Sequence, residues 1–540
     1  MTNSVEGTVL PIKVVPTTLH IENLSYRFVP DSLNHSSFLR VLRSLIPKHL
    51  SEKLLGSSER LEMKSIHNVS FRCLPGQITG IIGDRSSVRK AIVDLLCGHR
   101  KYGQFSGEIY MTVDPNIHRT FESVNKYVSN EFEYFNSITL IPRKSLHLCG
   151  LSYLEMLEFS VKLKTMLGPT EAKQRALELL EFVGLKDKAR YYIPDEFSPR
   201  GHVGSDLRKL TIAISMIVDN PIIVLDDPFK NVDTIYANYT LDIMNKLAAR
   251  GHTIICTTSR VEPFMIDSFR HVVVLQEGRS VYASSRDKLE AHFASSNLQY
   301  NIRKNNRMIG EFLLDLSAGN EPAGDGHVVG SKELQEIFES SPHNLMKQEP
   351  MEGRKIIAYT DDGHARRWKF SDSKGLYAVC YRSFVMAHRA FLCKLRETAI
   401  LQKTFAASVI LALFVGCLMY GQGDIGSQIN TNACIEFEAP NPANPQVTTA
   451  FDLGCLYPNL KVLNITGSMF LSISLAITLQ VLNVHAVVRK LLVGRYEQRN
   501  GYGPPFLFGV VMLISELVPA FFFEIIYTVI YMSLTILGMY

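Results

Sequence analysis

The sequence predicts an α/β domain followed by an all-α membrane-spanning domain, and three observations carry that prediction. Short apolar strands alternate with amphipathic helices from Thr17 to about residue 300. Apolar residues then accumulate after about residue 400, which lifts the mean hydropathy of the 540-residue chain to +0.05. Basic residues, finally, fall on one side of the apolar stretches and acidic residues on the other. The formal charge of +5 is too dilute for a nucleic-acid protein, whose basic residues concentrate into a patch or stripe. Nucleic acid is therefore set aside as a partner.

Residues 1–16 read as a tail. The opening MTNSVEGTVLPIKVV lacks the basic stretch and apolar core of a cleaved signal, so the first domain is expected to stay in the cytosol. Residues 17–300 form that domain. Strands are expected at TTLHIENLSYRFV, MKSIHNVSFRC, QITGIIG and SGEIYMTV, with a helix over roughly Ser87 to Leu96. An insertion of about residues 30–61, helical in its FLRVLRSLIPKHLSEKLL part, reads as a surface excursion. Apolar spacing of three and four residues makes Leu151 to Leu185 helical, after which strands PIIVLDD and HTIICTT alternate with helices.

Residues 301–375 turn polar without sustained periodicity and read as a linker with local helix. Residues 376–403 form a basic amphipathic connecting helix suited to a membrane interface. The remaining 404–540 holds three apolar stretches, 404–421, 466–488 and 505–540. The first two suit a hydrocarbon core of roughly 30 Å. The third is longer than one crossing needs, and is either one long tilted span or a broken one. Within the loop 422–465, the stretch 422 to 460 carries Asp424, Glu436, Glu438 and Asp452 and no Lys or Arg. The next loop carries Arg489, Lys490, Arg495 and Arg499, which places the first loop outside and the N-terminal domain in the cytosol. Of nine cysteines, only Cys434 and Cys455 in the outer loop look placed to form a disulfide. The sequon at Asn464 lies too near the membrane to favour glycosylation.

Candidate chemistry centres on PGQITGIIGDRSSVRKAIVDLLCG, a strand, turn and helix of the kind that cradles phosphates. A working P-loop wraps phosphate with glycine backbone, reaches it with Lys and holds Mg²⁺ with a Ser/Thr hydroxyl. Here Gly83 keeps the first glycine, Ser86 and Val88 take the later ones, Arg89 takes the Lys and Lys90 the hydroxyl position. Arg85, Ser87 and Ala91 complete the phosphate-facing stretch. IIVLDDPFKNVD reads as the acidic strand of such a site, with Asp226 as a weak Mg²⁺ ligand and Asp227 at the catalytic acid.

Between these lies EFSPRGHVGSDLRKLTIAISMIVDNP, which resembles the ABC signature, with Val203, Gly204, Ser205 and Asp206 in the tetrad. ITLIPRKSLHLCGLSYLEMLEFS is similar to the G-subfamily Q-loop with Arg143 for Gln, HTIICTTSR to the switch strand with Ser259 for His, and Asp233 falls at the D-loop. Tyr26 sits where an aromatic stacks on adenine, or packs simply as a strand Tyr. With VVRKLLVGRYEQRNGYGPPFLFG before the third span, the chain resembles an ABC half transporter of the G subfamily, the White type. Its finer likeness is to the sterol half transporters, on the sterolin-2 side of that pair.

The resemblance implies an α/β P-loop ABC ATPase domain followed by an all-α transmembrane domain, with ATP and Mg²⁺ as cofactors. It implies a multi-pass membrane protein, in the plasma membrane rather than an internal one, that moves lipid or sterol. Family members have six spans, so a chain with three reads as a truncated product. The substitutions remove the metal ligand, the imidazole at Ser259 and the usual Glu at Asp227, so hydrolysis here should be impaired. A heterodimer partner, a second G-subfamily half transporter, would then supply the working P-loop. The alternative is a non-transporting pseudo-transporter that regulates a partner. Glu516 and Glu524 in the third stretch line a path, pair across a dimer or hold structure, since intramembrane carboxylates need a reason. Pro519 between them allows a kink.

Overall fold

A computed structural model describes residues 14–27, 65–99, 104–113, 134–193, 204–300, 302, 307–344, 346, 354–358, 375–418, 470, 484–502 and 505–537, with residues 296–298 and a few single positions inside these ranges left out. The insertion at 30–61, the loop 422–465 with Cys434 and Cys455, and most of the 466–488 stretch lie outside the described residues.

The chain divides into two compact units. The first comprises residues up to Leu146, Ser160–Tyr191 and Arg200–Ser373, and holds two sheets. Strands β1 (Thr17–Arg27), β2 (Ile66–Cys73), β3 (Ile78–Gly83), β4 (Gln104–Val113) and β5 (Ile138–Ile141) are followed by β6 (Ile222–Asp226), β7 (Thr253–Thr258), β8 (His271–Gln276), β9 (Arg279–Ser285) and β10 (Arg354–Ile357). A six-stranded sheet runs β5-β6-β7-β3-β8-β9, parallel except for the β8–β9 hairpin. Its inner strands ITGIIG and TIICTT are buried along their whole length, as continuous apolar strands covered on both faces should be. Close packing shows at Gly80, where an added Cβ would lie 2.4 Å from the Phe269 ring.

The second sheet is antiparallel, in the order β10-β4-β1-β2. Its outer strand β10 comes from the segment expected to be a linker. Four residues, Arg354–Ile357, add to β4 as an edge. At so short a length no period can announce a strand, and pairing with β4 supplies the order that local sequence does not.

The helices are α1 (Ser86–Leu96), α2 (Tyr153–Thr165), α3 (Pro169–Phe182), α4 (Gly204–Ser215), α5 (Thr234–Ala249), α6 (Pro263–Ser268), α7 (Leu289–Phe293), α8 (Ile309–Ala318) and α9 (Ser331–Ser340). Helix α1 follows β3 directly, and the strand–turn–helix setting expected there is present. Strands β3, β6 and β7 are neighbours and end at Gly83, Asp226 and Thr258, so their carboxyl ends bring the positions expected to be P-loop, acid and switch into one place.

The second unit comprises His147–Phe159, Tyr192–Pro199 and Lys374–Tyr540. Its helices are α10 (Gly375–Arg396), α11 (Thr398–Leu418), α12 (Val484–Arg499) and α13 (Pro505–Leu537). Ser152 and Glu155 open α2 as a reciprocal cap: the Ser152 N–H donates to Glu155 Oε2 at 2.9 Å and the Glu155 N–H to Ser152 Oγ at 3.2 Å. Helix α13 runs 33 residues without interruption at Pro519, so the third apolar stretch is one long helix of about 50 Å. Leu507–Leu534 is the single described helix long and apolar enough to cross a membrane, and Gln402–Cys417 is a shorter apolar stretch. Helices α11 and α13 pack through Ala412, Val415, Tyr527 and Tyr531. Leu513, Leu517, Phe521 and Phe522 on α13 stay exposed, as lipid-facing residues would.

Candidate functional site

Gly83 ends β3 where an added Cβ would lie 3.2 Å from the Leu275 Cβ and 3.3 Å from its carbonyl oxygen, a tight fit that favours glycine. The helix then begins early. Ser86 already lies in α1, and the Val88 and Arg89 N–H groups both donate to the Arg85 carbonyl, at 3.1 and 3.3 Å. Two amides that a glycine-rich loop would point at phosphate are thereby spent inside the helix. Val88 and Ala91 turn into the core, and Ser87 and Lys90 lie on the outer side of the helix. Arg85 reaches Glu277 of the β8–β9 turn at 3.7 Å.

Arg89 does not project toward solvent. Its side chain is 3% exposed and its Nη2 lies 3.6 Å from Asp227 Oδ2, itself on a side chain 2% exposed. Asp227 holds a left-handed backbone, φ +48°, which a short polar residue tolerates and which turns the chain sharply after β6. Its N–H donates to Thr257 Oγ1 at 3.1 Å. Ser259 completes the arrangement. Its hydroxyl donates to Asp227 Oδ2 at 3.0 Å, and its N–H reaches Oδ1 at 3.3 Å. The three positions expected to bind phosphate, to act as acid and to act as switch therefore engage one another.

Asp226 is half-buried at the end of β6. Burial pushes its carboxyl above the usual range, Asp94 and Asp227 push the same way, and Lys90 and Arg143 pull it back. Lys90 thus delivers a cation where a metal-binding hydroxyl is expected, and Asp227, the second carboxylate at this strand end, is already engaged by Arg89 and Ser259. The residues present do not fit Mg²⁺. Arg89 has the right chemistry for phosphate, but its guanidinium already faces a carboxylate. The nearby thiols are pushed up chiefly by burial, with Asp94 and Asp226 adding at Cys97 and Asp227 and Asp226 at Cys256, which keeps them as inert core groups.

At the signature, Gly204 opens α4, with Ser205 and Asp206 in its first turn. Val203 lies outside the described residues. Asp206 is buried and accepts a bond from Lys188 Nζ at 2.6 Å. One turn on, Arg208 donates to the carbonyls of Pro228 at 3.3 Å and Lys230 at 3.0 Å, tying α4 to the loop after Asp227. Arg260, next to Ser259, donates to the Val232 carbonyl at 2.9 Å, beside the exposed Asp233 that precedes α5. Lys188 and Arg260 carry no motif signal and were not expected. Tyr26 is buried at 3% in β1, opposite Phe105 and Ile66, an environment of packing.

In the second unit, buried charges are paired. Arg389 and Glu497 make a bidentate pair, 2.6 Å at each contact. Glu516 accepts from Lys394 at 2.5 Å and Lys490 at 2.8 Å, and Lys490 also reaches Glu397 at 3.0 Å. Of the expectations for Glu516, the geometry matches structural placement within the chain. Glu524 is half-buried on α13. Arg396 bonds the capping residue Glu155 at 2.6 and 3.1 Å.

Comparison with known proteins returns no matching family model. Among curated proteins, the chain is 26% identical over 295 residues to an uncharacterized ABC transporter ATP-binding protein/permease of Saccharomyces cerevisiae, covering 53% of this chain and 21% of that one. It is 26% identical over 251 residues to ABC transporter G family member 5 of Arabidopsis thaliana, covering 46% and 36%. It is 23% identical over 336 residues to that plant's ABC transporter G family member 1, covering 61% and 42%. The chain is thus similar to ABC transporter G family members, and it spans less than half the length of these relatives.

Proposed function

We propose that this chain is a subunit of a G-subfamily ABC transporter that moves lipid or sterol, resembling the sterolin-2 side of a sterol transporter pair. Its own nucleotide site does not turn ATP over, and a second half transporter supplies the working P-loop. It resides as a multi-pass protein in the plasma membrane with its first domain in the cytosol. The observation that carries the reading is the mutual engagement of Arg89, Asp227 and Ser259. A general base must be free to meet the proton it takes, and this carboxylate is held by a guanidinium and a hydroxyl instead. Similarity to ABC transporter G family members supports the transporter class, and the exposed apolar face of α13 supports membrane residence.

Asp206 and Asp233 fall in register with groups that face a partner's nucleotide. Arg208 and Arg260 tie both regions to the loop that follows Asp227, so the impaired site acts as a brace for that surface. ATPase assays on the purified chain, alone and co-expressed with candidate half transporters, test the reading. The chain alone should be silent with Mg²⁺, and a correct partner should bring ATPase activity and lipid efflux together. Hydrolysis by the chain alone at ordinary transporter rates would refute it. ATPase activity without efflux in every pairing would favour a non-transporting regulator.

A further inference from the structure

We propose that Asp227 serves Arg89 as a built-in stand-in for nucleotide phosphate, so that the site competes with its own ligand and takes ATP only when the pair separates. The inference rests on reading this region as a nucleotide site and deepens it by naming how the site is regulated. A carboxylate and a phosphate present the same kind of oxygen acceptors to a guanidinium, and a planar fork serves either one. Here the carboxylate is already in place, with both side chains within 3% of full burial and 3.6 Å between them.

The carboxylate is also held from behind. Ser259 donates to it from hydroxyl and backbone, and Thr257 fixes the Asp227 amide. A phosphate entering at Arg89 must therefore displace an anion that is tethered, oriented and dry. Apparent affinity falls in proportion to the fraction of molecules whose Arg89 is released, so a pair separated in a tenth of molecules or fewer weakens binding about tenfold or more. The helix contributes to the same end, because the Val88 and Arg89 amides are bonded to Arg85 and offer the phosphate little in exchange. Neither partner of the pair needs a metal ion to meet the other, so the competition should run in EDTA as it does with Mg²⁺.

The test is a titration of the purified full chain with a fluorescent N-methylanthraniloyl ATP, once with Mg²⁺ and once with EDTA. Removing the carboxylate by Asp227→Asn should tighten binding about tenfold in either buffer. Asp227→Gly, which suits the φ of +48°, should do the same and guards against a variant that folds poorly. Arg89→Gln added to Asp227→Asn should abolish the gain. An ordinary catalytic acid behaves differently, since its removal traps nucleotide only by stopping Mg²⁺-dependent hydrolysis. Equal affinities for the unaltered chain and both variants, a gain that requires Mg²⁺, or a gain that persists without Arg89 would each overturn the proposal. Failure of every variant to bind the analogue would overturn the nucleotide-site reading itself.

Discussion

Arg389 and Glu497 offer a perturbation whose size follows from the geometry. Their side chains are 2% and 3% exposed, and two N–H···O contacts of 2.6 Å join them. Glu497→Ala leaves a guanidinium buried without its anion, at a cost of about 3–5 kcal/mol. Glu497→Gln keeps the shape and one acceptor and should cost less, about 1.5–3 kcal/mol. Arg389→Met with Glu497→Leu removes both charges and fills similar volume, which is often neutral within about 1 kcal/mol. The assay is the apparent melting temperature of the purified chain in detergent, followed by loss of the monodisperse peak after heating. At about 2–4 °C per kcal/mol for a unit of this size, Glu497→Ala should drop it by roughly 6–20 °C. The order is the decisive part: Ala lowest, Gln between, double variant near the unaltered chain. A shift under about 1 °C for Glu497→Ala, or a double variant as unstable as the single, would refute the claim that the pair is dry and mutually dependent.

Other predictions follow the same logic. Burial holds His20, His271 and His292 down to about 4 in the folded chain, with neighbouring Arg72 and Lys355, Arg270 and His343 respectively adding to the effect. The unfolded chain takes up these protons near 6.5, so their stabilising contribution is complete above that pH and is lost as pH falls toward 4; urea midpoints should therefore drop steadily from pH 7 to 5. Midpoints that stay flat would contradict the buried, neutral state. In His20, Arg72 Nε–H donates to Nδ1 at 3.2 Å, which leaves Nε2–H to face Thr112 Oγ1 at 3.0 Å, a tautomer that nitrogen-15 shifts can check. Gly80→Val should cost about 1–3 kcal/mol or prevent folding, because the new side chain would run into the Phe269 ring, itself buried at 1% exposure; an unchanged urea midpoint would refute this. Arg260→Ala removes the bond to the Val232 carbonyl and should speed amide hydrogen exchange in residues 232–237 while leaving β9 unchanged; uniform exchange in both would remove the brace.

Much of this molecule is legible in its sequence. Strands β3, β6 and β7 announce themselves as apolar runs ending in turn residues, because a parallel strand covered on both faces has no polar side to hide. Register between motifs, from Gly83 through Ser205 to Asp227 and Ser259, is a property of order along the chain, and the sheet preserves it. The third apolar stretch was legible as to location but not form, since a proline such as Pro519 permits a kink without compelling one.

What the sequence by itself determined is which residue stands at each expected position: an Arg where a P-loop has Lys, a Lys where it has a hydroxyl, an Asp where the acid is usually Glu and a Ser where the switch is usually His. Each reads there as a separate loss. Only the tertiary structure decided that three of them meet, because Arg89, Asp227 and Ser259 stand on different elements and become neighbours only where β3, β6 and β7 end side by side. The same holds for Arg389 with Glu497, 108 residues apart, and for β10 on β4. Local pattern encodes which way a residue faces. The partner it meets depends on the path of the whole chain, and burial then makes that meeting obligatory, since a charge removed from water must find its opposite.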